Sequence, residues 1–354
     1  MSFLRARFFA FTSSAMIFGA GCSSAVDTTP GTTTGTTTGA GGAGGAQSGS
    51  TTSGSGGSTG AGGSSLATIE QGIGPIPAGT GEEHTQCITV SLKNAEGAFV
   101  RRFRADLGTG SHHMIVYKSN ATSESPTPQD CQGFSGLLSG EHPIFIAQQA
   151  KAQLDFPTDE NGVPVALEIA PNQMVRLELH FINTTAQSLD VAAKLFVDTV
   201  PLTTAVVKSD LAFWGTQMIK VPANGVGDTG VKFQRALAST KTFALTTHQH
   251  HLGTEMKVWY GASAADPNQK MVADGKNWSD PPLELFTPAL DFPDNGNGKV
   301  SSMGLAYQCQ WKNTTATDVS FGEGFNDEMC FLWQYYYPSQ GFQLCVDGLC
   351  KKVQ

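Results

Sequence analysis

Charge is scarce in this chain of 354 residues: Asp, Glu, Lys and Arg make up 15% of it, against roughly 25% in ordinary soluble domains. What charge there is leans negative, with 22 Lys and Arg against 30 Asp and Glu for a formal net charge of −8. Nucleic acid is therefore excluded as a partner, because its binders gather positive charge to displace counterions from phosphates. Beyond the first 21 residues no apolar run approaches the ~20 residues that cross a bilayer as a helix. The rest of the chain does not read as an integral helical membrane protein. A Cys-x-x-Cys pair is also missing, which argues against a cysteine-built metal site. Aromatic residues are plentiful, with 21 Phe, 5 Trp and 6 Tyr, and such a chain can fill a core, so disorder throughout is excluded.

Residues 1–21 read as a bacterial export signal. Arg5 and Arg7 supply the positive start, Phe8 to Ala20 is apolar or small, and Gly19-Ala20-Gly21 precedes Cys22. The segment resembles a lipoprotein signal, in which Cys22 is acylated and becomes the new N-terminus. Gly19 stands where such signals usually carry Leu, and the alternative is an ordinary cleaved signal with a chance cysteine. The lipoprotein reading places the protein at the bacterial cell envelope, held to the membrane by its lipid, and Ser23 favours the outer membrane. From Ser23 to Ser65 all residues but Val26, Asp27, Pro30 and Gln47 are Gly, Ser, Thr or Ala. A segment of that composition cannot bury enough apolar surface to offset its ordering entropy, so residues 22–65 are expected to form an anchor and a disordered linker. As a flexible coil it spans roughly 35 Å.

Residues 66–354 read as strands and turns with little helix. Cys87–Leu92, Phe99–Ala105, Met114–Lys118, Val175–Asn183 and Leu189–Val197 are expected strands of a first domain. Thr242–His250, Met256–Tyr260, Met303–Trp311 and Cys330–Tyr337 are expected in a second. Short runs rich in Val and aromatics, separated by Gly, Asn, Asp and Pro, predict an all-β chain of two sandwiches. The segment Thr199–Ser209, with Pro201, marks the division, giving domains 66–204 and 205–354. Setting Cys22 aside leaves six cysteines, an even number in an exported protein and so a disulfide framework. Six cysteines allow 15 pairings, and their count chooses none of them. Cys345 and Cys350 flank Asp347-Gly348 in a plausible local loop; Cys309 and Cys330 sit on what read as nearby strands, leaving Cys87 with Cys131.

Five of the eight histidines occur in contexts that suit metal ligation. His248 and His250 are two apart, and at strand spacing positions i and i+2 share a face, so both imidazoles can reach one ion. His112 and His113 are adjacent and can act together only at a bulge or strand end. His180 ends the run Arg-Leu-Glu-Leu-His. His251 is expected to face away from the pair before it and to make a structural hydrogen bond. His84 and His142 carry no motif. Glu178, two residues before His180, is a candidate acceptor for the His180 ring.

The string Phe325-Asn326-Asp327-Glu328-Met329-Cys330 closely resembles the Asp/Glu-Glu-Met-Cys segment of the type II copper, ascorbate-dependent monooxygenases, the family of peptidylglycine alpha-hydroxylating and dopamine beta-monooxygenases. His-His-Met at His112, Leu-Glu-Leu-His ending at His180, His-x-His-His-Leu-Gly from His248 and Glu-Met-Cys at Met329 follow the family's order, over nearly all of residues 80–340. The resemblance implies two antiparallel jelly-roll-like sandwiches and two copper ions. His112, His113 and His180 would hold an electron-storing copper; His248, His250 and Met329 would hold the oxygen-activating one. A soft thioether favours Cu(I), while three imidazoles serve both oxidation states. Cys87–Cys131 and Cys309–Cys330 match bridges of the family.

Two departures stand out. Where the peptide-processing member carries an Arg that anchors a substrate carboxylate, this chain has Thr246, and Phe331 and Trp333 replace an Asn and a Tyr that hold the peptide end. The expected function is an exported copper monooxygenase acting on a C–H bond of a small organic substrate with O2 and ascorbate or a similar reductant. The alternative is a non-catalytic copper-binding or carbohydrate-binding surface sandwich. Copper uptake and reductant-dependent oxygen consumption separate the two.

Overall fold

The computed structural model describes residues 66–296 and 298–352. The signal segment, Cys22 and the tether lie outside them. The described part is almost wholly β, with one short helix at Ser135–Ser139. Among the described residues no helix is long and apolar enough to cross a membrane. Each expected strand is found, several of them longer than expected.

Four sheets carry the architecture. The first outer sheet joins Ala67–Ala78, Leu189–Pro201, Ala98–Leu107 and Val165–Ile169. The first inner sheet joins Glu83–Ser91, Met174–Ile182, Ser111–Lys118 and His142–Ala147. The second inner sheet runs through Leu283–Phe292, Thr240–His248, Phe331–Tyr337, Asp210–Gly215 and the C-terminal hairpin. The second outer sheet is built on Val300–Lys312 and Gly253–Gly261. Among the described strands pairing is antiparallel except for two short matches, Val207–Lys208 with Val165–Ala166 and Ala212–Gly215 with Gln343–Val346, and an isolated bridge between Phe321 and Glu328 is also parallel. In the segment read as the division, Leu189–Pro201 continues through Pro201, and Val207–Lys208 still pairs within the first half.

The second inner sheet explains the aromatic run Phe331-Leu332-Trp333-Gln334-Tyr335-Tyr336-Tyr337, every residue of which is buried. Side chains alternate faces along a strand. Phe331, Trp333, Tyr335 and Tyr337 join the core that reaches back through the first half, while Leu332 and Tyr336 join the core of the second sandwich. The strand Asp210–Gly215 divides the same way, Leu211 and Phe213 to one side and Ala212 and Trp214 to the other. A sheet covered on both faces needs apolar residues at nearly every position, as parallel sheets do, and the buried Gln334 in this run is bonded to Thr242. The two inner sheets thus face each other across one continuous core, where the Tyr335 hydroxyl accepts the Ile146 N–H at 3.2 Å; Phe156, just past Lys151–Asp155 on the first outer sheet, also meets Phe243 at 5.4 Å between ring centroids.

Three disulfides close this frame: Cys87–Cys131, Cys309–Cys330 and Cys345–Cys350. The strand Ala67–Ala78 escaped the sequence reading because Gly72, Gly74, Pro75 and Pro77 lie within it. Its register slips between Ile73 and Ile76, a bulge that admits a proline. Gly74 there has φ 100°, and a Cβ would sit 2.5 Å from the Val191 carbonyl.

Candidate metal centre

The first three histidines are delivered by two adjacent strands of the first inner sheet. His113 pairs across the ladder with His180, and the register shifts between Ser111 and His113. That is the irregularity two neighbouring histidines need to share a side. The His112 Nδ1 lies 3.1 Å from the His113 Nδ1 and 3.3 Å from the His180 Nδ1. The single His112 Nδ1 cannot make both contacts as well-formed hydrogen bonds at once. Three nitrogens bound to one ion at about 2.0 Å each stand roughly 3.3–3.5 Å apart at tetrahedral to trigonal angles, so the triad has the dimensions of a ligand set.

The other pair comes from the end of a strand in the second inner sheet. The strand Thr240–His248 stops at His248, so His250 lies beyond it in the following turn. The shared-face argument therefore holds only as far as His248, and a different device aims His250. The Glu328 carboxylate, fully buried, accepts the N–H groups of His250 at 3.1 Å and Leu252 at 2.7 Å, the Trp311 indole N–H at 2.7 Å and the Met329 N–H at 3.3 Å. One side chain thus clamps the His250 turn to the Met329 segment. Burial pushes the Glu328 carboxyl up to about 7 against those four donors.

Hydrogen bonds also decide which ring nitrogen of each histidine is free. The His248 Nδ1 meets the Gln148 Oε1 at 2.6 Å and the His250 Nδ1 meets the Asp327 carbonyl at 3.1 Å. Both acceptors require the proton on Nδ1, leaving a lone pair on Nε2. The Nε2 atoms of both rings are buried with no hydrogen-bond partner. Such atoms are costly to leave alone, and coordination to a metal would satisfy them. The Gln148 amide also donates to the Thr247 carbonyl at 2.9 Å and to the Thr246 hydroxyl at 3.1 Å.

The stacking of the inner sheets brings both sets into one place. Ring centroids are 5.1 Å apart for His113 and His248, 6.3 Å for His112 and His248, and 6.4 Å for His180 and His250. Within the sets they are 5.1–5.3 Å apart. The sequence assigned the sets to separate domains; the fold makes them one cluster of five imidazoles. Burial, followed by mutual repulsion among the rings, lowers His112 to about 3, His250 to about 4, and His113 and His248 well below the ordinary value. These four rings are neutral at pH 7, the state a metal requires.

Met329 is 1% exposed and lines an apolar cavity of about 180 Å³ with Phe134, Phe213, Phe331 and Leu137. Phe134 spans the space between that cavity and the imidazoles, its ring 5.6 Å from His248 and 6.0 Å from His113. Glu178 has a different job from the one expected of it. Its carboxylate accepts the Phe134 N–H at 2.6 Å, holding that residue at φ 53°, and burial pushes the group up to about 7. The acceptor for His180 is Glu83, whose Oε1 meets the His180 Nε2 at 2.9 Å and also accepts the Phe325 N–H at 2.6 Å. Burial opposes ionisation of Glu83, and the bonds from His180 and Phe325 outweigh it, lowering its pKa.

The remaining histidines stay outside the cluster. His251 bonds the Phe325 carbonyl at 2.6 Å and stacks on its ring at 4.3 Å. His142 pairs with the buried Asp210 at 2.7 Å, and His84 lies near Asp130. Four residues central to the site carried no sequence assignment: Glu83, Phe134, Gln148 and Glu328. Only Glu328 left a signal, as a carboxylate placed directly before a buried Met-Cys.

Residues 229–353 match the copper type II ascorbate-dependent monooxygenases, C-terminal domain. The match takes in His248, His250, Glu328 and Met329, supports copper and ascorbate dependence, and covers about a third of the chain. No curated protein matches the chain. Among solved structures, Sulfolobus Turreted Icosahedral Virus is 9% identical over 75% of this chain and 58% of its own, with a TM-score of 0.20. The CBM22-1–CBM22-2 tandem of Paenibacillus barcinonensis Xyn10C is 12% identical over 70% and 82%, with a TM-score of 0.19. The Gt strain of infectious bursal disease virus is 11% identical over 77% and 71%, at 0.18. The chain spans less than two thirds of the first of these, and scores this low carry no inference beyond the monooxygenase match.

Proposed function

We propose that the protein is an exported copper-dependent monooxygenase that hydroxylates a C–H bond of an apolar organic substrate with O2 and a small reductant such as ascorbate. One observation carries the reading: two buried imidazole nitrogens without a hydrogen-bond partner lie beside three that converge, those of His113 and His180 within 3.3 Å of His112. In this reading His112, His113 and His180 hold one copper, and His248, His250 and Met329 hold the other. Bound copper supplies one-electron chemistry and a site for O2, with the thioether of Met329 favouring Cu(I).

The chain itself supplies orientation and an apolar wall. Gln148 and the Asp327 carbonyl keep the proton on Nδ1 of the His248 and His250 rings, and Glu83 does the same service for His180 from its Nε2 side. Acceptors of this kind fix ring orientation and raise ligand basicity. Glu328 holds the His250 turn and the Met329 backbone in one geometry. Phe134, Phe213 and Phe331 give the cavity beside Met329 an apolar wall. A substrate there meets mainly hydrocarbon walls, with Gln217, Glu323 and Lys351 as the polar lining. Thr246, bonded to Gln148, offers no cation to a carboxylate. The proposal includes a lipid at Cys22 that would hold the protein at the envelope membrane.

Copper stoichiometry measured together with oxygen uptake on the purified protein tests this. Two coppers per chain and reductant-dependent uptake are expected. Copper bound without uptake from any electron donor would leave a copper-binding protein, and a preference for zinc under copper-replete conditions would remove the metal assignment.

A further inference from the structure

The imidazole cluster has a second approach. His112 alone of the five rings is only partly buried, and it lines an open cleft of about 520 Å³. Neither Met329 nor Phe134 lines this cleft, and no histidine of the cluster lines the apolar cavity. One wall is Trp278, whose ring lies 5.3 Å from His112 at 49°. Phe325 meets that indole edge-on at 5.7 Å and is itself stacked on His251, so the platform is braced from behind. Elsewhere the lining mixes hydroxyls and small residues, Thr109, Ser111, Thr184 and Gly108 among them, with apolar Leu107 and Ile182. A Cβ on Gly108 would sit 2.7 Å from the Ala192 carbonyl, which keeps that corner free of side chain.

We propose that this cleft docks the reductant, and that its ligand is a planar enediol, a small ring with adjacent hydroxyls that stacks on Trp278 beside His112. The purpose of the site rests on the copper reading; binding in it does not. Among the described residues the lining holds neither Lys nor Arg, so recognition comes from the ring face and hydroxyls and not from charge. Ascorbate and neutral catechols share that chemistry. Oxidised to a dione, an enediol gives up two electrons and its remaining hydroxyl protons; the protons would pass to water in the open cleft and the electrons to copper held by the cluster, one for each Cu(II).

Calorimetry on the copper-free full chain, with catechol and ascorbate as separate titrants, is the first test. Saturable binding is expected, with catechol at least as tight as ascorbate. Loss of stacking in Trp278→Ala should weaken it about tenfold, while Trp278→Phe keeps it within about threefold. On copper-loaded protein Trp278→Ala should slow reduction by the enediols and leave reduction by a ringless outer-sphere donor, hexaammineruthenium(II), unchanged. Absence of binding by both titrants, or binding indifferent to Trp278→Ala, overturns the proposal. Ascorbate binding more than tenfold tighter than catechol overturns the charge-blind recognition. If catechol binds through Trp278 to a chain that takes up no copper, the docking site stands and the copper reading fails.

Discussion

Gln148 offers the sharpest probe of how the two halves of the chain make one site. It belongs to the first half, yet its amide makes three bonds across the interface, to the His248 ring at 2.6 Å, the Thr247 carbonyl at 2.9 Å and the Thr246 hydroxyl at 3.1 Å. Truncation in Gln148→Ala forfeits these bonds at about 0.5–1.5 kcal/mol each, and burying the His248 N–H without an acceptor is part of the same loss. A total of about 3 kcal/mol follows, a large fraction of the ~5–15 kcal/mol that ordinarily separates folded from unfolded. The functional effect is separable. Without the Oε1 acceptor the His248 ring is free to rotate and to move its proton to Nε2, and loss of such an acceptor lowers metal affinity about 10–100-fold. Denaturant unfolding of the metal-free protein reads the first quantity, and competitive copper titration reads the second. Gln148→Glu also accepts from Nδ1, so it should recover most of the affinity even if stability stays low. Should Gln148→Ala lose stability while its copper affinity matches the parent, Gln148 is an interface tie alone and the tautomer argument is wrong.

Met329→His should retain copper near two per chain while nearly abolishing reductant-driven hydroxylation, because imidazole stabilises Cu(II) where the thioether favours Cu(I); full activity in this variant and in Met329→Ala would make Met329 a core residue. Phe134→Ala should cost about 3–5 kcal/mol in denaturant unfolding and leave copper stoichiometry intact; copper loss would mean that the ring shapes the ligand set. Asp210 is buried, which opposes its ionisation, but bonds from His142, Leu211 and Ser339 outweigh this and lower its pKa. A depressed carboxyl stabilises the fold above its ordinary value near 3.8 and loses that contribution as pH falls through the folded value. His142→Ala should therefore move the acid-unfolding midpoint to higher pH, as followed by near-ultraviolet circular dichroism; an unchanged midpoint refutes the role. Cys22→Ser should release the protein from membranes with copper binding unaltered, as fractionation would show, and persistence in the membrane fraction would refute the lipid anchor.

What the sequence makes legible here is local. Joint use of the adjacent His112 and His113 requires a bulge or a strand end, and the ladder shifts register between Ser111 and His113, at the start of the strand. Alternation and turn residues mark the strands, and an even cysteine count marks the framework. What it hides depends on contacts far along the chain. Glu178 is two residues from His180 and was the natural acceptor, but its carboxylate takes the Phe134 N–H, brought there by a distant loop, while Glu83, from the neighbouring strand, reaches the ring. Gln148 lies 100 positions from His248, with nothing in either neighbourhood to pair them. The fusion of two ligand sets into one cluster is less visible still, since it follows from how two sheets stack.

That stacking has a practical consequence for anyone wishing to cut the molecule. The strand Phe331–Tyr337 presents Phe331, Trp333, Tyr335 and Tyr337 to the first half, so a C-terminal fragment expressed by itself would display a broad greasy face with unfilled aromatic sockets. Exposed patches of that kind drive aggregation. The matched stretch at 229–353 is therefore a unit of sequence kinship without being a unit that can be excised or transplanted. Moreover it begins after Asp210–Gly215, the strand that lies between Phe331–Tyr337 and the C-terminal hairpin. Domain-shuffling designs should carry both halves together.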